Sequence, residues 1–319
     1  MKENQFDISR CGVWRRRVLL APLGLVGVLI LVGMVAWSTL FLLHSNVPSQ
    51  AIRTLMAVAF VLGTVAVFVF LKPRRRALVV FLSIFAVVLA WYFSIQPSND
   101  RKWAPHVAVL ASATVNGDLV EIRNIRHFDY RTATDFEPRY YDKTFDLNKL
   151  RSADVISVTW GNPAIAHIIG SFGFEGDEYI AFSIEMRPEE GEPNSLIRSF
   201  FRKYELIYVV ADERDVIRLR TNSREPREQV RIYRTRLPVE HQRTLFLSYI
   251  DKVNQLSVKP EWYNTLEDNC TTGVLARSRA FQGRGHYNWK VLLSGYAAEY
   301  GHDLGMLDTS VPFAELREM

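Results

Sequence analysis

The pattern of apolar and polar positions changes character near residue 96. Before it lie three long apolar runs, Val18 to Leu43, Thr54 to Leu71 and Ala77 to Ile95, none holding a charged side chain. A helix needs about 20 apolar residues to cross a bilayer, with a lower limit of roughly 17, so each run is long enough. A cleaved signal peptide has an apolar region of about 7 to 15 residues. The first run exceeds that and two more follow, which predicts three transmembrane helices rather than a leader or buried core helices.

After residue 96 the runs shorten and alternate. VAVLASA and LVEIRNI flank Asn116-Gly117-Asp118, a hairpin signal. Strands are expected over Leu150 to Trp160, His167 to Phe174, Tyr179 to Met186 and Tyr204 to Ala211, with a more exposed one at VRIYRTR. Leu245, Tyr249, Val253 and Leu256 give helical spacing to Pro238 to Val258, and further helices are expected over about Cys270 to Phe281 and Trp289 to Tyr300. The expected organisation is an anchor of three spans over 1–96 and one α+β domain with a mostly antiparallel sheet over 97–319.

Charge orients this arrangement. Arg10, Arg15, Arg16 and Arg17 precede the first span, and Lys72, Arg74, Arg75 and Arg76 fill the turn between the second and third. The loop from His44 to Arg53 has one arginine. Basic residues collect on the cytoplasmic side, so the larger domain is expected outside, in the periplasm of a bacterium with two membranes. The net charge of +5 is partly this topology signal and no argument for a nucleic acid partner.

Of two cysteines, Cys11 falls on the cytoplasmic side and Cys270 outside, so they cannot pair within one chain. Cys270 follows the polar run Tyr263 to Asn269 and opens a helical pattern. A helix N-terminus stabilises a thiolate and offers N–H donors to an oxyanion. A small buried hydrophobe is the competing reading of a lone cysteine. A nucleophilic thiol needs a base. Across a three-residue loop at Glu175 to Asp177, the register that keeps one face apolar pairs Phe174 with Glu178, Phe172 with Ile180 and Gly170 with Phe182. It also opposes His167 to Glu185, with Cβ atoms about 5 Å apart. Such a carboxylate holds an imidazole in the useful tautomer. Taken singly, His167 reads as a structural histidine and Glu185 as a solvated charge; with Cys270 they supply base, orienter and nucleophile. Ser183 lies on their face, and Tyr263 and Asn269 are candidate oxyanion donors. No close His, Cys or Asp spacing supports a metal, and no cofactor is expected. The basic-aromatic stretch from Arg123 to Tyr141, including Arg139, could meet lipid headgroups or form salt-bridged loops on the sheet.

The runs NIRHFDYRTATDFEPRYYDKTFDLNKL, PAIAHIIGSFGF, AFSIEMRPEEGE, RKYELIYVVADERDVIRLRTN and YNTLEDNCTT resemble the Lnb N-terminal periplasmic domain family over roughly Asn124 to Arg277. The resemblance implies a lipoprotein N-acyltransferase of the bacterial inner membrane, moving an acyl chain from phospholipid to a diacylated lipoprotein. The order of a strand histidine followed by an Asn-Cys helix start is also similar to permuted papain-like enzymes of the NlpC/P60 and lecithin:retinol acyltransferase type. That similarity implies a permuted papain-like core with nucleophile Cys270, base His167 and a third member near Glu185. A periplasmic cysteine peptidase or amidase acting on cell-wall peptides, or a non-catalytic scaffold, would suit the same layout.

Overall fold

The computed structural model describes residues 8–265, 269–282 and 285–318, with side chains from 24 onward except 278–282. The chain divides into two compact units, Met1–Gln96 and Pro97–Met319.

The first unit is three helices, α1 (Ile8–His44), α2 (Gln50–Phe70) and α3 (Arg74–Ser94). Each contains 21 residues apolar enough to cross a membrane. Leu25, Leu55 and Val79 are more than 60% exposed, a surface suited to lipid rather than water. Several polar side chains are satisfied within their own helices: the hydroxyls of Thr39, Thr64 and Ser83 donate to carbonyls four residues back, whereas the buried Ser38 hydroxyl has no partner among the described residues. The ring of Trp37 packs on Phe41, Phe85 and Tyr92, joining α1 to α3. The side chain of Cys11 lies outside the described residues.

The second unit is an α+β domain. Its strands are β1 (Ser112–Asn116), β2 (Leu119–Arg126), β3 (Asp129–Tyr130), β4 (Phe136–Glu137), β5 (Tyr140–Asp146), β6 (Leu150–Thr159), β7 (Ala166–Phe174), β8 (Glu178–Arg187), β9 (Glu205–Asp212) and β10 (Gln229–Arg234). Its helices are α4 (Leu196–Ser199), α5 (Glu213–Arg218), α6 (Val239–Val258), α7 (Cys270–Gln282), α8 (Trp289–Leu292), α9 (Ala297–Asp303) and α10 (Phe313–Leu316). The main sheet runs β1-β2-β9-β8-β7-β6-β10, with β5 also on β2; β3 and β4 pair separately. Among the described residues, only the bridge of β2 to β9 is parallel.

The β7–β8 hairpin adopts the register that apolar alternation requires, pairing Phe174 with Glu178, Phe172 with Ile180 and Gly170 with Phe182. Its loop closes through positive φ at Gly176 and Asp177, the latter at 57° without a glycine. Phe172, Phe182 and Tyr208 pack one sheet face on α6, with ring centroids 5.1 Å from Phe172 to Phe246 and 5.0 Å from Phe182 to Tyr249. Here Leu245, Tyr249, Val253 and Leu256 form the buried stripe that their spacing predicts. The opposite face is also covered: Ile169, Ala181, Ile207 and Val209 bury against Val107 and Val216 of α5. His167 and Glu185 therefore stand at the margin of a second core, not on an open face.

Three elements differ from the sequence expectation. VAVLASA is not one strand; Pro105–Val107 makes a 3-10 turn, and pairing starts at Ser112. The stretch from Arg123 to Tyr141 contains paired strands as well as loops. The expected helix from Trp289 to Tyr300 breaks into short turns, because Gly295 runs against the loop before β7. Its N–H donates to the carbonyl of Ala164, and a Cβ there would meet the carbonyl oxygen of Pro163 at 2.0 Å.

Candidate active site

Cys270 is the first residue of α7, and the preceding residue explains why the helix starts there. The Oδ1 of Asn269 accepts from the N–H groups of Thr271 (2.8 Å) and Thr272 (3.0 Å), while the N–H of Asn269 donates to Thr272 Oγ1 at 2.8 Å. This reciprocal cap consumes two of the helix's free donors. The Asn269 amide donates to the Thr265 carbonyl. Its polar atoms thus serve the turn, and the N–H of Cys270 itself is the donor left for an oxyanion. One turn on, Gly273 lets α7 lie on the sheet: a Cβ would meet Ile184 Cδ1 at 2.5 Å and Tyr208 Oη at 3.1 Å. That approach seats the thiol in the core, 8% exposed.

Burial pushes the Cys270 thiol up from its ordinary pKa, against weaker pulls from the Ile168 N–H, the Thr271 hydroxyl and Arg220. The expectation of a preformed thiolate at the helix start is therefore replaced by a neutral thiol, because desolvation outweighs those stabilising groups.

His167 and Glu185 are joined through Ser183. His167 Nε2 lies 2.7 Å from Ser183 Oγ, and that hydroxyl donates to Glu185 Oε1 at 2.7 Å. The direct distance from Nε2 to Oε1 is 3.8 Å, beyond a hydrogen bond. With the serine proton given to Glu185, Nε2 carries a proton and donates to Ser183. Nδ1 then keeps a lone pair. Ser183 is fully buried, and its hydroxyl bridges the imidazole and the carboxylate.

Arg220 completes the group. It lies in a π-helical turn, Leu219–Ser223, and places Nη2 3.6 Å from Glu185 Oε1 and Nη1 3.2 Å from Glu228 Oε2. Burial and the Arg220 charge bring His167 down to about 3, despite the opposing carboxylate of Glu185. Burial favours protonation of Glu185, but His167, Arg220, Arg126 and the Ser183 hydrogen bond together hold it well below the carboxylate range. At neutral pH the site holds a neutral imidazole beside a carboxylate.

His167, Glu185, Arg220, Tyr263, Asn269 and Cys270 all line one cleft of about 630 Å³. The thiol and imidazole share this cleft without a hydrogen bond between them among the described residues. Tyr263 is buried on the cleft wall, and burial raises its phenol. His106 also lines the cleft, with its pKa lowered mainly by burial. Behind Thr271 and Val291 lies a smaller apolar cavity of about 60 Å³. Arg139 is not part of this group: it is half exposed and pairs with Glu137 at 2.9 Å. Among the described residues no three His, Cys, Asp or Glu side chains gather as metal ligands.

Sequence reasoning missed Arg220 and the relay role of Ser183. The serine had a signal, since strand alternation puts residues 183 and 185 on one face. Arg220 had none, being one of several arginines in a segment without a clear period.

No curated protein and no solved structure matches the chain. Residues 136–295 match the model of the Lnb N-terminal periplasmic domain, a span that reaches past α7 to Gly295. That span is half of the sequence and includes His167, Ser183, Glu185, Arg220 and Cys270, and the chain belongs to this family.

Proposed function

We propose that this protein is a lipoprotein N-acyltransferase of the bacterial inner membrane, with its larger domain in the periplasm and Cys270 as acyl carrier. The observation that carries the reading is the His167–Ser183–Glu185 hydrogen-bonded chain opening into the same cleft as a thiol at a capped helix start. A strand histidine followed by a helix-start cysteine is the order of permuted papain-like thiol enzymes, which supports acyl transfer over a scaffold role. The three spans favour substrates held in a bilayer over cell-wall peptides.

In the first half-reaction, His167 Nδ1 takes the proton from Cys270 Sγ, and the sulfur attacks the ester carbonyl of a phospholipid. The Cys270 N–H donates to the oxyanion. Collapse breaks the ester C–O bond, and the leaving lysophospholipid oxygen takes the proton from His167. In the second, the α-amine of a diacylated lipoprotein attacks the thioester and passes a proton to His167. The C–S bond breaks, and the thiolate is reprotonated as the amide forms. Ser183 and Glu185 hold the tautomer and stabilise the imidazolium. Contacts between nucleophile and base are commonly loose before substrate binds.

The test is the acylation state of a reporter lipoprotein, read by mass spectrometry in cells lacking any other N-acyltransferase. The expected result is triacylation with wild type and Cys11→Ser, and none with Cys270→Ser. Triacylation by Cys270→Ser would rule the mechanism out.

A further inference from the structure

Large apolar side chains exposed to solvent are ordinary when scattered, and informative when they gather. In the second unit some stand apart, such as Val115 and Val258, but one group lies at and beside the cleft. Trp160 and Ile165 stand on the loop before β7, Leu196 and Phe200 on and just after α4, and Trp289 and Leu292 on α8. All six are at least 40% exposed, and Leu196 and Trp289 reach 56%. Four of them, Trp160, Ile165, Leu196 and Leu292, also line the cleft that holds His167 and Cys270. The three segments are far apart in sequence, so no local amphipathic pattern places them together.

Residues 160–165, 195–203 and 285–293 contain no Asp or Glu, and Arg198 and Arg202 lie among the apolar positions. Lys203 and Lys290 lie there too, but pair with Glu192 and with Glu299 and Asp303 of adjoining segments. Apolar and indole side chains bordered by basic ones suit the boundary between acyl chains and anionic headgroups. A protein partner would also bury apolar groups, but here a bilayer is already at hand. The domain follows the last span closely, and the Ser98 N–H already bonds to Glu205 of β9 only four residues after α3 ends.

We propose that this collar seats in the outer leaflet of the membrane that holds the spans, so that the cleft opens to lipid and not to water. Trp289 and Leu196 enter the acyl boundary, and Arg198 and Arg202 meet the phosphates. A lipid then slides from the leaflet into the cleft without its chains crossing water. The inference deepens the acyl-transfer reading by naming where its lipid substrates enter, and it rests on that reading only for the reason the collar exists.

The test measures depth, not turnover. Full-length protein in a Cys11→Ser/Cys270→Ser background receives one fluorescent label at Leu196→Cys, Leu292→Cys or, as control, Val115→Cys on β1. The protein is placed in nanodiscs of phosphatidylethanolamine with phosphatidylglycerol. Nitroxide-bearing lipid should quench the collar labels roughly threefold more than the control, and a water-soluble quencher should show the reverse order. Replacing phosphatidylglycerol with phosphatidylcholine should weaken the collar's lipid quenching, since the basic residues lose their counter-charges. A docked collar, together with a wild-type protein that forms no acyl adduct and acylates no reporter lipoprotein, would sink the acyl-transfer reading alone. Collar labels as open to the aqueous quencher as Val115 would overturn the proposal. So would collar protection that depends on protein concentration and yields label-to-label crosslinks, which would make the collar a contact between copies.

Discussion

Two of the buried arginine–carboxylate systems in the second unit are built differently. Asp215 has every oxygen committed: Oδ1 accepts from Arg126 Nη2 (2.7 Å), Arg126 Nε (3.1 Å) and the Tyr130 hydroxyl (3.1 Å), and Oδ2 from the Phe128 N–H (2.7 Å). Burial opposes the Arg126 charge, but Asp215 and its neighbours overcome it and raise the guanidinium pKa. Glu185 is held loosely, with Arg220 and His167 both beyond hydrogen-bond distance and only Ser183 close. Arg220 Nε is buried, and has no partner among the described residues. A saturated buried pair resists change and serves the fold. An unsaturated one beside a cleft keeps capacity to stabilise a charge that appears later, as on an imidazolium.

The largest effect expected from this contrast is on stability. Asp215→Asn should destabilise the protein by about 3–5 kcal/mol, because Arg126 loses its counter-charge in a dry site. Thermal unfolding should then shift by on the order of 10 °C. Glu185→Gln should cost about 1 kcal/mol, since Arg220 keeps Glu228. Equal losses from the two substitutions would break the comparison.

Activity should rank the other way. His167→Ala should lower the acylation rate by roughly 10²- to 10⁴-fold through loss of the base. Ser183→Ala and Glu185→Gln each remove one charge-assisted link, about 1.5–3 kcal/mol, or roughly ten- to a hundredfold in rate. Because serine and glutamate act in series, the double variant should be no slower than the slower single one. Additive losses would mean that Glu185 reaches His167 by another path.

The smallest effect concerns pH. The folded state holds His167 near 3, below the ordinary imidazole value near 6.5. The unfolded chain therefore binds its proton first as pH falls, so this group costs no stability above about pH 6.5 and a growing amount from there towards pH 3. Glu185, depressed as well, adds a loss in the same direction that begins as pH falls through the ordinary carboxylate value near 4.5. Thermal midpoints of wild type should fall more steeply between pH 6.5 and 4 than those of His167→Gln. Parallel curves would place the imidazole in water.

Much of this was legible in the residues. Apolar runs without charge mark the three helices, and Phe172, Phe174, Ile180 and Phe182 set the hairpin register, because one face must meet α6. The register placed His167 near Glu185, yet spacing alone cannot say that a serine two residues away fills the gap. The neutral state of Cys270 depends on how closely Gly273 brings α7 to the sheet, a packing distance with no sequence period. The broken C-terminal helix follows from the contact of Gly295 with Pro163 and Ala164, residues some 130 positions upstream. Arg220 likewise acquires its place from a π-helical turn that its neighbours do not announce.

The thioester itself tests the central claim most directly. Full-length wild-type protein, given phospholipid of defined acyl composition and no acceptor, should accumulate one acyl adduct in its intact mass. Neutral hydroxylamine should remove the adduct, peptide mapping should place it on Cys270, and a lipopeptide with a free α-amine should discharge it. Cys270→Ser should remain unmodified. Reporter lipoproteins that become N-acylated while no adduct forms, or an adduct on any other residue, would contradict the account.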